Sequence, residues 1–177
     1  MAAWVRFSDG ARVAFDTLSG DTITVHDGDM FSGAVATGEQ KSLASVRLLA
    51  PCQPSKMLCL WNNFHALAAK LGVAEPAEPL YLLKAPSAFM ATGEAIRRPP
   101  SYDGKIVYEG ELGIVIGKAC SNASEAEAAS SIFGYTCVND ITAADIISKD
   151  STFAQWTRAK SFDTFGIFGP AIVTGLD

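Results

Sequence analysis

Residues 107–118 read VYEGELGIVIGK and place Glu109 and Glu111 two positions apart at the head of an aliphatic run. Alternate side chains of a strand share a face, so the two carboxylates point the same way, about 7 Å apart. Like charges so placed repel unless water or a cation lies between them. The pair is therefore read in two ways, as a strand end emerging into solvent or as part of a cation site. Asp140 ends a second apolar segment, SIFGYTCVND, directly ahead of a helix start. It too has two readings: an acid that favours the helix dipole, or an oxygen donor displayed at a rigid strand edge. Glu109, Glu111 and Asp140 together would make the all-oxygen set that hard cations such as Mg²⁺ or Mn²⁺ prefer, completed by waters or substrate oxygens. Spacing alone does not bring the three together.

Other chemistry is sparse. Of the two histidines, His26 lies beside an Asp27-Gly28 turn and reads as surface structure. His65 falls in the first turn of a helix after Asn63, where it is either a packed or capping residue or a general base titrating near neutrality. Lys84 and Lys160 are each flanked by apolar or aromatic residues and could counter carboxylate charge or snorkel to the surface. No GxSxG, phosphate-binding loop or dinucleotide glycine signature occurs, which removes the common serine hydrolases, P-loop enzymes and nicotinamide oxidoreductases. A net charge of −5 without a basic stripe argues against nucleic-acid binding. The N-terminus lacks an apolar leader and no run approaches a membrane span, so a cytoplasmic protein is expected. Four cysteines without CxxC spacing read as free thiols of a reducing compartment, not as disulfides or a zinc site.

The elements that must position these residues divide at about residue 50. Segments WVRFSD, RVAFDTL and DTITVHDGDMF, separated by Gly-containing turns, predict a small β-rich unit over 1–50. Residues 32–45 read as irregular or weakly helical. Over 51–177, MLCLW predicts a short buried strand. NNFHALAAKLG predicts a helix capped by Asn62 or Asn63 and ended by Gly72. LYLLKAP predicts a strand, ELGIVIG a largely buried one, and SIFGYTCVND another. Thr142 with Asp145 suggests a capping box for the following helix. KSFDTFGIFGP reads as a Gly- and Phe-rich loop, either core or an apolar contact surface, before a last strand at AIVTG. Strands outnumber helices without regular alternation, so the fold class expected is α+β with a β-rich core.

The order PSKMLCLWNNFHA, LYLLKAPSAF, YEGELGIVIGK, GYTCVNDITAAD, QWTRAKSFDTFGIFGP resembles the fumarylacetoacetate hydrolase family over essentially the whole chain. The resemblance implies a mixed β-roll core and a divalent cation, Mg²⁺ or Mn²⁺, held by Glu109, Glu111 and Asp140. It implies 2-oxo or 2,4-dioxo acid substrates bound through that cation, and a homodimer. Lys160 matches the family's lysine ahead of F-D, in a charge-stabilising role. Lys84 is implied near the metal shell and, with Asn63, in substrate binding; His65 is the candidate base. The activity expected is C–C hydrolysis of an acylpyruvate-type substrate, with isomerase/decarboxylase chemistry of the 2-hydroxyhepta-2,4-diene-1,7-dioate type, or a non-catalytic truncated subunit, as alternatives. Three departures stand out. The family's G-x-N-Y-x-x-H is Trp61 to Leu67 here, with Leu67 in the histidine position and His65 two residues earlier, turned by about 200° on a helix. Ala144 replaces the arginine of N-D-x-x-A-R-D. The family's later strands and P-G-D-x-x-x-T-G-T segment do not follow Asp177.

Overall fold

The computed structural model describes residues 1–176. Strands β1 (Ala2–Ser8), β2 (Val13–Ser19), β3 (Thr22–Asp27) and β4 (Val35–Ser42) form an antiparallel meander. The first turn closes where Asp9 Oδ1 accepts the N–H groups of Ala11 and Arg12 (3.1 and 3.0 Å), with Gly10 at φ 91°. Alternation in β1 sends Val5 and Phe7 inward to pack with Ile23. β4 corrects the irregular reading of 32–45. Its Val35–Gln40 residues are all exposed, so no apolar periodicity marks it, and backbone pairing with β3, joined by a Thr37 Oγ1 bond to Val25 O at 3.1 Å, makes it a strand.

Asp16 is the anomaly of this unit. It is fully buried; Oδ1 accepts the His26 N–H at 2.6 Å while Oδ2 meets no donor. Burial pushes its carboxyl above the ordinary value of 3.8, against the opposing bond from His26. The neutral acid is thus the form the fold favours. Its stabilisation is complete below the unfolded-state value and is lost as pH rises through the raised folded value. Asp16→Asn is therefore expected to melt above the parent at pH 7, the gap closing toward about pH 4. A lower melting temperature for the variant at pH 7 would contradict this.

The remaining elements are β5 (Arg47–Leu49), β6 (Met57–Trp61), α1 (His65–Leu71), β7 (Leu80–Lys84), β8 (Phe89–Ala91), β9 (Ile106–Val107), β10 (Gly110–Ile116), α2 (Glu125–Ser130), β11 (Ile132–Asp140), β12 (Thr142–Ala143), α3 (Ala144–Ile147), α4 (Trp156–Lys160) and β13 (Gly166–Thr174). Among the described residues, nine strands share one sheet in the order β10-β11-β13-β1-β2-β3-β4, with β5 beside β1 and β8 parallel to β13. The N-terminal meander and the later strands are thus continuous through the β1–β13 pairing. β6–β7 and β9–β12 form separate two-stranded sheets. The β-rich α+β class expected from the sequence is the one observed.

Several local expectations change. β10 is an edge strand with Leu112, Ile114 and Ile116 all more than half exposed, so only one of its faces packs. That face carries Glu111, Gly113 and Val115, and a Cβ on Gly113 would come within 2.8 Å of Val138 Cγ2. The FDTFGIF segment is core: Phe165 and Phe168 are buried, and β13 already begins at Gly166. Gly72 ends α1 in the left-handed conformation, φ 65°, as expected. The N-cap of α1, however, is Phe64, without a side-chain cap. Asn62 instead takes a left-handed turn (φ 53°) and donates through Nδ2 to Ala74 O at 3.0 Å.

Candidate active site

The carboxylates are brought together by backbone pairing. Asp140 ends β11, where its N–H donates to Glu109 O at 2.9 Å and its register partner is Gly166. The next N–H, of Ile141, donates to Phe165 O at 3.0 Å. One residue on, Thr142 of β12 lies opposite Val107 of β9, two residues before Glu109. Alternation then buries Ile141 and Ala143 in a cluster with Ala88, Ile146, Ala159 and Phe165, leaving Asp140 and Thr142 for the other side. A polar clamp fixes the approach to Glu109. Asp145 Oδ2 accepts the Lys105 N–H (2.9 Å) and the Tyr102 hydroxyl (3.1 Å). Asp145 and Thr142 therefore do not form the expected capping box; the N-cap of α3 is Ala143.

Lys160, the last residue of α4, sends its ammonium into this junction. Nζ stands 2.6 Å from Asp140 Oδ2, 2.8 Å from Glu109 Oε1 and 2.7 Å from Thr142 Oγ1. The Thr142 hydroxyl also donates to Glu109 Oε1 at 2.8 Å. A second ammonium, that of Lys84, reaches Asp140 Oδ1 at 2.5 Å as an ion-pair contact without hydrogen-bond geometry to that oxygen. Burial pulls Lys160 down, yet its bonds to Asp140 and Glu109 outweigh it and hold the ammonium above its ordinary range. Lys84 is lowered, chiefly by burial, with the Asp140 charge opposing. The half-buried Glu111 is raised by burial and then by the charges of Asp140 and Glu109. Cys59, on β6, feels the same charges; burial, then Asp140, pushes its thiol up to about 11.

Glu109, Asp140, Lys160 and Lys84 thus meet, and Glu111 lies within their electrostatic reach. Among the described residues, no three His, Cys, Asp or Glu side chains form a ready cation cage as they stand. The donor set is nevertheless all oxygen, the chemistry that hard divalent cations take. Two carboxylates already converge on one cationic group at 2.6–2.8 Å, and the third acid is raised first by burial and then by their charge. Lys84, expected to touch substrate, is buried among protein oxygens, with Asp140 Oδ1 2.5 Å from its ammonium. His65 and Asn63 are exposed, and His65 Nδ1 pairs with Glu75 Oε1 at 2.6 Å, not with the carboxylate cluster. Sequence reasoning misses Thr142 as a site residue, because a threonine ahead of a helix reads as a cap.

Comparison with known proteins decides the lineage. A family profile described as fumarylacetoacetate (FAA) hydrolase C-terminal matches residues 56–177. The chain belongs to the fumarylacetoacetate hydrolase family. A second profile, Rv2993c-like N-terminal, matches residues 3–51, the β1–β5 region. Protein Rv2993c of Mycobacterium tuberculosis is 42% identical over 146 residues, covering 82% of this chain and 54% of that protein. Oxaloacetate tautomerase YisK of Bacillus subtilis is 35% identical over 136 residues, covering 75% of this chain and 44% of its own. The crystal structure of 2-hydroxyhepta-2,4-diene-1,7-dioate isomerase from Mycobacterium marinum superposes with a TM-score of 0.86 at 36% identity, covering 100% of this chain and 68% of that one. The chain spans about half the length of the curated relatives it matches. Among the described residues no helix is long and apolar enough to cross a membrane.

Proposed function

We propose that the chain carries the cation-dependent site of an enzyme acting on 2-oxo acids, and that its chemistry is keto–enol isomerisation in preference to C–C hydrolysis. The observation that carries this reading is the Lys160 ammonium bonded at once to Asp140, Glu109 and Thr142. Glu109, Glu111 and Asp140 are the residues that would hold Mg²⁺ or Mn²⁺. Bound there, the cation would supply Lewis acidity to the 2-oxo and carboxylate oxygens of a substrate. Lys160 holds a positive charge beside that position, which would stabilise negative charge developing on a substrate oxygen. Thr142 orients both Lys160 and Glu109 through its hydroxyl. Both reactions need a proton acceptor, but isomerisation only passes the carbon-bound proton to solvent water while the oxygen gains one, whereas hydrolysis needs a base placed to activate a water for attack on carbon. His65 is engaged with Glu75 on an exposed helix start, which favours isomerisation over the hydrolytic expectation. The names of the tautomerase and isomerase relatives agree with that preference.

Ultraviolet absorbance of the enol of a 2-oxo dicarboxylic acid such as oxaloacetate, followed with Mg²⁺, tests the reading. The parent chain and His65→Ala are expected to speed interconversion alike, within about twofold, and Glu111→Gln to lose the effect. A His65→Ala variant slowed by orders of magnitude would restore the histidine as base and reopen the hydrolytic reading.

A further inference from the structure

Lys84 is a fully enclosed cation, only 1% exposed, and its surroundings are unusually specific. Besides the contact with Asp140 Oδ1, its Nζ donates to Lys160 O, to Phe165 O at 2.9 Å and to Ile141 O at 3.4 Å. These carbonyls belong to the end of α4, the residue before β13 and the residue after Asp140. One ammonium therefore ties together three chain segments that meet at the site. Asp140 is gripped at both ends: Oδ1 faces Lys84 and Oδ2 faces Lys160. A carboxylate held by a different ammonium on each oxygen loses free rotation about its own bond.

Gly166 makes the passage for the lysine stem. It is the register partner of both Asp140 in β11 and Phe89 in β8. A Cβ there would fall 2.9 Å from Lys84 Cδ, 3.2 Å from Ala88 O and 3.2 Å from Phe89 Cδ1. Its φ is not in the left-handed region, so room and not backbone conformation calls for glycine.

We infer that Lys84 is a positioning residue, which through Asp140 and the Lys160 carbonyl sets the direction in which the Asp140 carboxylate offers its remaining lone pairs, and that Gly166 is the space that admits it. The inference rests on the reading of Asp140 as a donor to a divalent cation. Its sign differs from that of a simple charge effect. Removing a positive charge beside a carboxylate should, by Coulomb attraction alone, tighten a cation on that carboxylate. Losing the group that orients a ligand should weaken it, by about 10–100-fold where an outer partner of the ligand is lost.

Calorimetric Mn²⁺ titration of the full 177-residue chain separates these outcomes. The parent is compared with Lys84→Met, Gly166→Ala and the double variant, each below its measured melting temperature. Lys84→Met is expected to weaken Mn²⁺ at least about tenfold despite the lost positive charge. Gly166→Ala should weaken it in the same direction, and the double variant should be no weaker than Lys84→Met, because both changes act on one contact. Equal or tighter binding by folded Lys84→Met overturns the inference. Should that variant not fold, Gly166→Ala decides alone, since it removes no charge, and binding within about twofold of the parent overturns the proposal. A folded parent that binds no Mn²⁺ overturns the underlying cation reading and this inference with it. A binding parent with unaffected variants overturns only the role of Lys84.

Discussion

Asp140→Asn should produce the largest loss of any single change, in stability and in cation binding together. Asp140 is the shared counter-ion of two buried ammoniums, with Lys84 on one oxygen and Lys160 on the other. Asn keeps the shape but removes the charge, leaving Lys84 facing a neutral amide and Lys160 with Glu109 alone. Breaking a buried ion pair by removing one partner typically costs about 3–5 kcal/mol. For a chain of this size that corresponds to a fall of roughly 6–20 °C in melting temperature. Mg²⁺ binding should disappear from the calorimetric titration even at temperatures where the variant remains folded. Parent-like melting would mean that Lys84 finds its compensation in backbone carbonyls and Lys160 in Glu109, and that Asp140 is not the electrostatic centre of the site.

The second large effect is expected at Lys160, and its pattern is the opposite of a general collapse. Glu109, Glu111 and Asp140 face two ammoniums, so the cluster carries one net negative charge when all five groups are ionised. Lys160→Met removes the ammonium that shares Asp140 Oδ2 and Glu109 Oε1 with any bound cation. Mg²⁺ affinity should therefore hold or increase. Turnover should drop by about 10²–10³-fold, the scale of losing one group that stabilises a developing oxyanion. The split between kcat and metal affinity is the informative readout. A loss of affinity equal to the loss of turnover would make Lys160 a structural support for the carboxylates and not a participant in the chemistry. The contrast with Lys84 is sharp, because two lysines on one carboxylate are expected to shift cation affinity in opposite directions.

Much of this site is legible in the amino-acid sequence. E-x-E at a strand head, N-D at the end of another strand and K-S-F-D after a helix each have distinctive chemistry, and their order carries the family resemblance. What the sequence does not reveal is whether a group faces the site or props it up. Lys84 follows an apolar run in either case; only the closure of β7 against α4 and β13 shows that its ammonium is enclosed. Thr142 looks like a helix cap because a hydroxyl ahead of a helix usually is one, but here Lys160 and Glu109 take it. The aliphatic run of β10 suggests burial on both faces, whereas an edge strand leaves Leu112, Ile114 and Ile116 open. β4 is illegible for the converse reason, since a strand held by backbone pairing with its side chains exposed leaves no apolar period to read. The shift of His65 against the family pattern, by contrast, is visible in the sequence, and the structure gives it a partner, Glu75, outside the carboxylate cluster.

The central claim is that Glu109, Glu111 and Asp140 of this chain hold a divalent cation that in turn holds a 2-oxo acid. Calorimetric titration of the parent chain with Mg²⁺, with and without oxalate as an unreactive mimic of such an acid, tests it most directly. The account predicts Mg²⁺ binding that oxalate tightens, with both effects lost in Glu111→Gln. A demonstrably folded chain that binds no Mg²⁺ in either condition would contradict it.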